Sequence, residues 1–160
     1  MKPIEGAMLL ADKGFDHFKG ASAFGAISEP AITFLLERGQ VWSLDDGDIL
    51  FRAGDTGESF FIVVDGRLDY VREKNGQQVV IRNIEMGEQL GYVSMIGLFE
   101  RFGMGRANGA VVVIEIKSDL FYQLHLDFPF DFGILMLNLS RDMARTIRFF
   151  ASNLTAAYLG

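Results

Sequence analysis

Residues 47–68 of the chain read GDILFRAGDTGESFFIVVDGRL, and this stretch decides the fold. Short apolar runs rich in Ile, Val and Phe are interrupted by glycines at positions 47, 54, 57 and 66. Glycine accepts the turn and bulge conformations that end a strand, so each of these positions indicates a corner of a β structure.

The same pattern continues outward from Val41 to Ile116. Short strands with turn residues at intervals of about eight to twelve are typical of antiparallel sandwiches and barrels. We therefore predict a mostly β domain of that kind. Its strands are expected near residues 41–44, 48–52, 59–64, 66–73, 78–84, 101–107 and 110–116.

Two Asn-Gly pairs lie between predicted strands, at Asn75-Gly76 and at Asn108-Gly109. Asn and Gly both accept the positive φ angles of a type I′ turn. We therefore predict a tight hairpin at each pair.

Helices are expected on both sides of the strands. One helical face over residues 1–22 carries the apolar residues Ile4, Met8, Ala11, Phe15 and Phe18. A second helix is predicted to begin after Ser28, which suits an N-cap, and to end at Gly39.

A short helix at about 119–126 and a long helix at about 131–156 are predicted after the last strand. In the long helix a series of residues recurs at alternating intervals of four and three: Met136, Ser140, Met143, Ile147, Phe150, Leu154 and Ala157. This spacing is typical of a coiled-coil seam, so we predict a homodimer through the C-terminal helix. The alternative is a single amphipathic helix that packs on its own barrel.

Composition and charge limit the possible functions. The chain has 160 residues, is 49% hydrophobic and contains 15 Phe, which favours an apolar surface covered by a partner subunit. Its net charge of −6 argues against direct contact with nucleic acid. The apolar run Met8–Ala11 is too short for a signal peptide or a membrane span, so we expect a cytoplasmic protein without membrane contact.

The 47–68 stretch, with its spaced glycines and those at 87 and 91, resembles the cyclic nucleotide-binding domain family over about residues 24–155. The resemblance implies an antiparallel β-roll, jelly-roll-like, with N-terminal helices and a long C-terminal helix. We expect an N-terminal helical extension over residues 1–23, the roll over 24–130 and a dimerisation helix over 131–160.

Residues 87–101, which we call the ligand segment, read GEQLGYVSMIGLFER. In the family this segment forms a short helix whose N-terminus meets the cyclic phosphate, and an arginine after it pairs with that phosphate. The ligand-binding positions implied by the resemblance are Leu90, Gly91, Tyr92, Val93, Ser94, Arg101 and Phe102.

Two arginines compete for the phosphate role. Arg106 is followed by a small residue, as in the family, but the gapless register from Leu90 assigns the role to Arg101. The alternative for Arg101 is a surface or interface ion pair with Glu100 or Glu88. Strand alternation is expected to turn Glu100 away from Arg101.

The segment also departs from the family. Tyr92 stands where the family has the glutamate that binds the ribose, Glu100 replaces a proline, and Phe102 replaces a small residue. A hydrogen bond to a charged group is worth about 1.5–3 kcal/mol, so losing the carboxylate weakens a cyclic nucleotide by roughly ten- to a hundred-fold. If the tyrosine ring fills the ribose space, the pocket is closed to cAMP and cGMP.

The resemblance implies a stand-alone regulatory module that senses cAMP or cGMP weakly, or another anionic ligand, and acts on a separate effector protein. The sequence ends at Gly160 without a predicted helix-turn-helix. The alternative is a dimeric interaction scaffold that no longer binds cyclic nucleotides.

We do not expect an enzyme. The two histidines, His17 and His125, lie far apart in sequence on helices outside the roll, and no nucleophile, nucleotide-binding or metalloprotease motif is present. A cupin-type enzyme is disfavoured because the sequence lacks a His and carboxylate set for a metal.

Overall fold

The computed structural model describes residues 1–159, so the predicted dimerisation helix extends one residue, Gly160, beyond the described part. The elements are β1 (Lys2–Ile4), α1 (Gly6–Lys13), α2 (Phe15–Lys19), α3 (Glu29–Arg38), β2 (Gln40–Leu44), β3 (Ile49–Phe51), β4 (Ser59–Asp65), β5 (Leu68–Lys74), β6 (Gln77–Ile84), β7 (Gln89–Leu90), α4 (Tyr92–Gly97), β8 (Met104–Ala107), β9 (Val111–Lys117), α5 (Ser118–Asp127) and α6 (Pro129–Leu159).

Two antiparallel sheets form the roll. One has five strands in the order β1-β2-β9-β4-β7, and the other has four in the order β3-β8-β5-β6. The predicted fold class, a mostly β roll with N-terminal helices and a long C-terminal helix, is confirmed.

Strand β4 divides the core into two parts. Successive side chains of a strand point to opposite faces. Phe60 and Ile62 accordingly pack with the helices, whereas Phe61 and Val63 pack between the two sheets. A strand buried on both faces explains the continuous apolar run in the 47–68 stretch.

The N-terminal prediction was partly wrong. Lys2–Ile4 is a strand paired with β2, and the following helical residues form two short helices separated by Gly14. Gly14 has φ +73°, a conformation that a continuous helix cannot contain.

The two Asn-Gly pairs differ in outcome. Asn75 and Gly76 have φ +55° and +75°, and β5 pairs with β6, so the first hairpin is confirmed. The second prediction was wrong, because β8 and β9 belong to different sheets. The Asn108 amide N–H instead donates to the Arg67 carbonyl at 3.0 Å, which makes Asn108-Gly109 a corner between the sheets.

The strand predicted over 101–107 begins only at Met104, because the chain at Arg101 is held by the 54–55 turn. The Arg101 amide donates to the Asp55 carbonyl at 2.8 Å, and the Gly54 amide donates to the Arg101 carbonyl at 2.9 Å.

The helix signals near Ser28 were reliable. The Ser28 hydroxyl accepts from the Ala31 amide at 3.4 Å, and α3 ends before Gly39 as predicted.

The final helix begins at Pro129, two residues earlier than expected, and continues to Leu159. No helix within residues 1–159 combines the length and the apolar character that a membrane crossing requires.

Candidate functional site

One large open cavity of about 1610 Å³ lies between the ligand segment, the four-stranded sheet and α6. All seven predicted ligand-binding residues line it: Leu90, Gly91, Tyr92, Val93, Ser94, Arg101 and Phe102. Of the seven residues at the predicted seam spacing, Met143, Ile147 and Phe150 line it from α6, whereas the others, Met136 and Leu154 among them, do not. The fold thus brings the ligand segment and the C-terminal helix to one site.

The start of α4 is fixed by Gly91, which has φ +91°. A Cβ atom on Gly91 would lie 2.5 Å from the Arg101 Nη1 atom. Glycine is therefore required at this position for two reasons: the backbone has a positive φ angle, and a side chain would collide with the guanidinium of Arg101.

The Arg101 guanidinium lies beneath the cavity wall and is only 4% exposed. Its Nη1 donates to the Gly91 carbonyl at 2.8 Å, and its Nη2 donates to the Ser59 carbonyl at 2.6 Å and to the Ser59 hydroxyl at 3.2 Å. The guanidinium carbon also lies 4.5 Å from the centre of the Phe51 ring. Arg101 therefore ties β4 to the start of α4.

Arg101 is a buried cation without a direct ion-pair partner among residues 1–159, although Glu115 and Asp55 favour its charged form from a distance. Among residues 1–159, no carboxylate lies within 4.0 Å of it, and its Nε has no hydrogen-bond partner. Burial lowers the pKa of Arg101 from its ordinary value, because removal from water penalises the charged form. Of the predicted alternative, an ion pair with Glu100 or Glu88 at a surface or an interface, the surface form was wrong, because the side chain is buried and Glu88 pairs with Arg82.

Tyr92 is also buried, at 3% exposure, and its ring packs in the core beside the helices. Its hydroxyl donates to Asp142 Oδ2 of α6 at 2.9 Å. Desolvation, followed by the negative charge of Asp142, raises the pKa of Tyr92 above its ordinary value. Tyr92, the residue that the sequence analysis predicted at the ribose position, is therefore bonded to the C-terminal helix.

The outer rim of the cavity is mainly apolar, but it also includes the cation of Arg72 and the carboxylate of Glu100. Phe102 is exposed, and the Arg72 guanidinium carbon lies 3.5 Å from the centre of its ring. Glu100 lines the same cavity as Arg101, and the strand on which its expected direction depended is not formed at these residues. Both residues precede β8, where strand alternation does not apply. Val93 is exposed at the rim, whereas Leu90 and Ser94 are buried.

Arg106, the rejected candidate, lies on β8 outside the cavity lining. Its guanidinium contacts Asp69 at 3.7 Å and donates to Gln78 at 3.3 Å. Within residues 1–159, no cluster of three or more His, Asp or Glu side chains is arranged to hold a metal ion.

Sequence reasoning missed two residues of the site, Arg82 and Asp142. Arg82 lines the cavity from β6, and Asp142 is a buried carboxylate on α6. Asp142 falls outside the predicted heptad seam, and the sequence assigned it no role. The one available signal was the tyrosine at position 92, a buried hydroxyl that requires an acceptor.

One family model and several curated proteins match the sequence of this chain. A family model described as the cyclic nucleotide-binding domain matches residues 41–127, more than half of the chain. Among curated proteins, a cAMP-dependent protein kinase regulatory subunit of Blastocladiella emersonii is 28% identical over 80 residues, which are 49% of this chain and 20% of that protein. A lysophospholipase of Neurospora crassa is 31% identical over 99 residues, 61% of this chain and 6% of that protein. The chain thus spans a fifth or less of the length of these relatives.

Solved structures share the fold. A cyclic nucleotide-binding domain from Methylobacillus flagellatus superposes with a TM-score of 0.78 at 19% identity, covering 92% of this chain and 83% of that one. The catabolite activator protein of Thermus thermophilus gives a TM-score of 0.72 at 20% identity over 84% of this chain and 62% of that one.

Proposed function

We propose, from the premise that the chain belongs to the cyclic nucleotide-binding domain family, that it is a regulatory module and not an enzyme. Its cavity binds a small anionic ligand, with cAMP and cGMP as weak ligands. The module acts as a homodimer through α6 and passes its state to a separate effector protein.

The observation that carries this proposal is the buried Arg101 guanidinium. A buried charge without a partner is costly, and an anion at the adjacent cavity wall offsets that cost. Arg101 lines the cavity, has an unpaired Nε–H and has no carboxylate partner among residues 1–159. A ligand phosphate supplies the missing negative charge and accepts directional hydrogen bonds from the guanidinium.

The rest of the cavity supports weak rather than tight binding of a cyclic nucleotide. Tyr92 offers no carboxylate to a ribose hydroxyl, and its own hydroxyl is already donated to Asp142. The missing charged hydrogen bond corresponds to roughly ten- to a hundred-fold in affinity.

Transmission to a partner runs through α5 and α6. The cavity is lined by α6 residues as well as by the ligand segment, and α5 connects the last strand to α6. A ligand that prefers one packing of α6 over another shifts the population between the two. The two α6 helices of the dimer carry that shift to the effector.

Calorimetry with cAMP, cGMP and a cyclic dinucleotide tests the proposal. We expect weak binding that Arg101→Ala removes, while Arg106→Ala, which deletes an arginine outside the cavity lining, leaves it unchanged. Thermal unfolding of both variants verifies that each is folded.

A variant that is expected to bind cAMP more tightly than the native chain complements the variant that is expected to lose binding. Tyr92→Glu restores the ribose carboxylate, and combining it with Asp142→Asn prevents two carboxylates from meeting where Tyr92 and Asp142 now touch. We expect this double variant to bind cAMP about ten-fold or more tightly than the native chain. No binding at millimolar concentration, even to the double variant, contradicts ligand sensing.

The second candidate function is a ligand-independent dimeric scaffold. The observation that favours it is the contact of Tyr92 and Arg82 with Asp142, which occupies polar groups of the cavity with other protein groups. Complete absence of binding in the experiment above selects this candidate.

A further inference from the structure

A network of polar side chains joins α6 to the ligand segment and to β6. At its centre is Asp142, which is 3% exposed. Its Oδ2 accepts from the Tyr92 hydroxyl at 2.9 Å, and its Oδ1 accepts from Arg82 Nη2 at 3.0 Å. One carboxylate of α6 thus bonds to both α4 and β6.

Arg82 extends the network in two directions. Its Nη1 donates to the Thr146 hydroxyl at 2.6 Å, one turn further along α6. Its Nη2 also donates to Glu88 at 3.1 Å, in the turn that precedes β7. We call these five residues, Tyr92, Arg82, Glu88, Asp142 and Thr146, the Asp142 network.

The network is internally satisfied. Asp142 receives hydrogen bonds on both oxygens, and the Arg82 cation lies between two carboxylates. A buried carboxylate that lost these donors would be left unpaired away from water, which is strongly unfavourable, so the network resists partial opening. This behaviour contrasts with Arg101 nearby, which lacks a counterion among the described residues.

We propose that the Asp142 network by itself holds α6 against the ligand segment, with the Tyr92 hydroxyl taking the hydrogen-bonding role that a ligand hydroxyl would otherwise have. All the contacts that dock α6 are then made by residues of the chain. A ligand regulates the module by breaking these contacts. The ligand that regulates the module acts through its anionic group and makes no sugar hydroxyl contact at residue 92. The proposal rests on the proposed function only in taking residues 87–101 as the segment that meets the ligand.

Hydrogen exchange of the unliganded full-length chain, followed by mass spectrometry, tests the proposal. Tyr92→Phe removes only the hydroxyl that reaches Asp142. We expect the α6 amides around residues 138–146 to exchange about ten-fold faster or more, because a hydrogen bond to a charged group is lost. Thr146→Val, which removes an acceptor of Arg82 at nearly constant volume, is expected to speed exchange in the same peptides.

The matched control is Tyr70→Phe. Tyr70 lines the same cavity, and its hydroxyl donates no hydrogen bond within residues 1–159, so α6 exchange should equal that of the native chain. Amides of α3, whose Leu35 and Leu36 are fully buried, report global unfolding, and their exchange should rise by no more than the loss of global stability that urea unfolding of the same variant measures. Unchanged α6 exchange in Tyr92→Phe overturns the proposal.

The same variants separate this proposal from ligand sensing. If α6 loosens in Tyr92→Phe but the native chain binds none of the three cyclic nucleotides, the network stands and ligand sensing fails. If cAMP binds and Arg101→Ala removes it, but α6 exchange is unchanged in Tyr92→Phe, ligand sensing stands and the network proposal fails.

Discussion

Gly91 and Gly54 have nearly the same backbone conformation, with φ +91° and +88°, but different surroundings. A Cβ on Gly91 would lie 2.5 Å from Arg101 Nη1, whereas a Cβ on Gly54 would have nothing within 4 Å. Gly54→Ala should therefore lower the free energy of unfolding by about 1 kcal/mol through backbone strain alone.

Gly91→Ala should cost about 3 kcal/mol or more, because it adds a steric conflict with a buried, hydrogen-bonded guanidinium. Urea unfolding of both variants measures the difference. Equal losses of stability would show that Arg101 moves freely and that its position beneath Gly91 is not fixed.

Tyr92 makes stability depend on pH in the alkaline range. Burial, and then the charge of Asp142, raises the pKa of its hydroxyl above the ordinary 10.0. The unfolded chain therefore loses this proton first, so the stabilisation is complete below about pH 10 and is lost as pH rises further. The free energy of unfolding of the native chain should fall more steeply above about pH 10 than that of Tyr92→Phe.

The additional slope is at most about 1.4 kcal/mol per pH unit, the value for one proton. Unfolding by urea at a series of pH values measures it. Tyr122→Phe, which removes an exposed hydroxyl, serves as the control and should follow the native chain. Coincident curves for the native chain and Tyr92→Phe would contradict the buried contact with Asp142.

For individual residues, the sequence predicted which side chains line the site but not which hydrogen bonds they make. The resemblance to the family, with the register counted from Leu90, placed Arg101 and Tyr92 at the ligand site, and both line the cavity. The direction of the Arg101 side chain depends on the carbonyls of Ser59 and Gly91. Such contacts join residues far apart in sequence and leave no periodic signal.

Between elements, Asp131 connects the first turn of α6 to the N-terminus of α3. Its Oδ1 accepts from the Ser28 amide at 2.6 Å, and its Oδ2 accepts from the Ser28 hydroxyl at 2.9 Å. Asp131→Ala would leave a half-buried N–H group without a partner. We expect it to lower the free energy of unfolding by about 2 kcal/mol.

Asp127→Ala is the matched control for Asp131→Ala in urea unfolding. Asp127 is exposed and accepts one hydrogen bond from Gln123 at 3.0 Å, so its loss should change stability by less than about 0.5 kcal/mol. Similar effects of the two substitutions would mean that Asp131 does not connect α3 to α6.

Element prediction succeeded where the signal was local. Ser28 capped α3, and Asn75-Gly76 formed a hairpin, because each conformation is decided by residues close in sequence. Asn108-Gly109 has the same two residues but joins different sheets, since β9 pairs with β2 and β4 instead of β8. Turn chemistry specifies a reversal, whereas strand partners depend on the packing of both sheets.

Across the whole molecule, α6 has two parts with different environments. In the first part, Leu135, Leu139 and Asp142 are buried against the rest of the chain. In the second part, the apolar residues Ile147, Phe150 and Leu154 are exposed. The first part matches the alternative of a helix packed on its own barrel, and the second part leaves the predicted seam open to a second copy.

The predicted dimer is tested at Ile147, the central residue of the open seam, which is 63% exposed in the single chain. Ile147→Asp introduces a charge that an apolar interface would have to bury, but this exposure lets the single chain keep its fold. Ala144→Asp adds the same charge at an exposed position outside the seam. In sedimentation velocity we expect a dimer for the native chain and for Ala144→Asp, and a monomer or aggregate for Ile147→Asp. A dimer that persists in Ile147→Asp would mean that the interface lies elsewhere. A monomeric native chain would contradict the dimer, and a single α6 docked by the Asp142 network would then have to contact the effector.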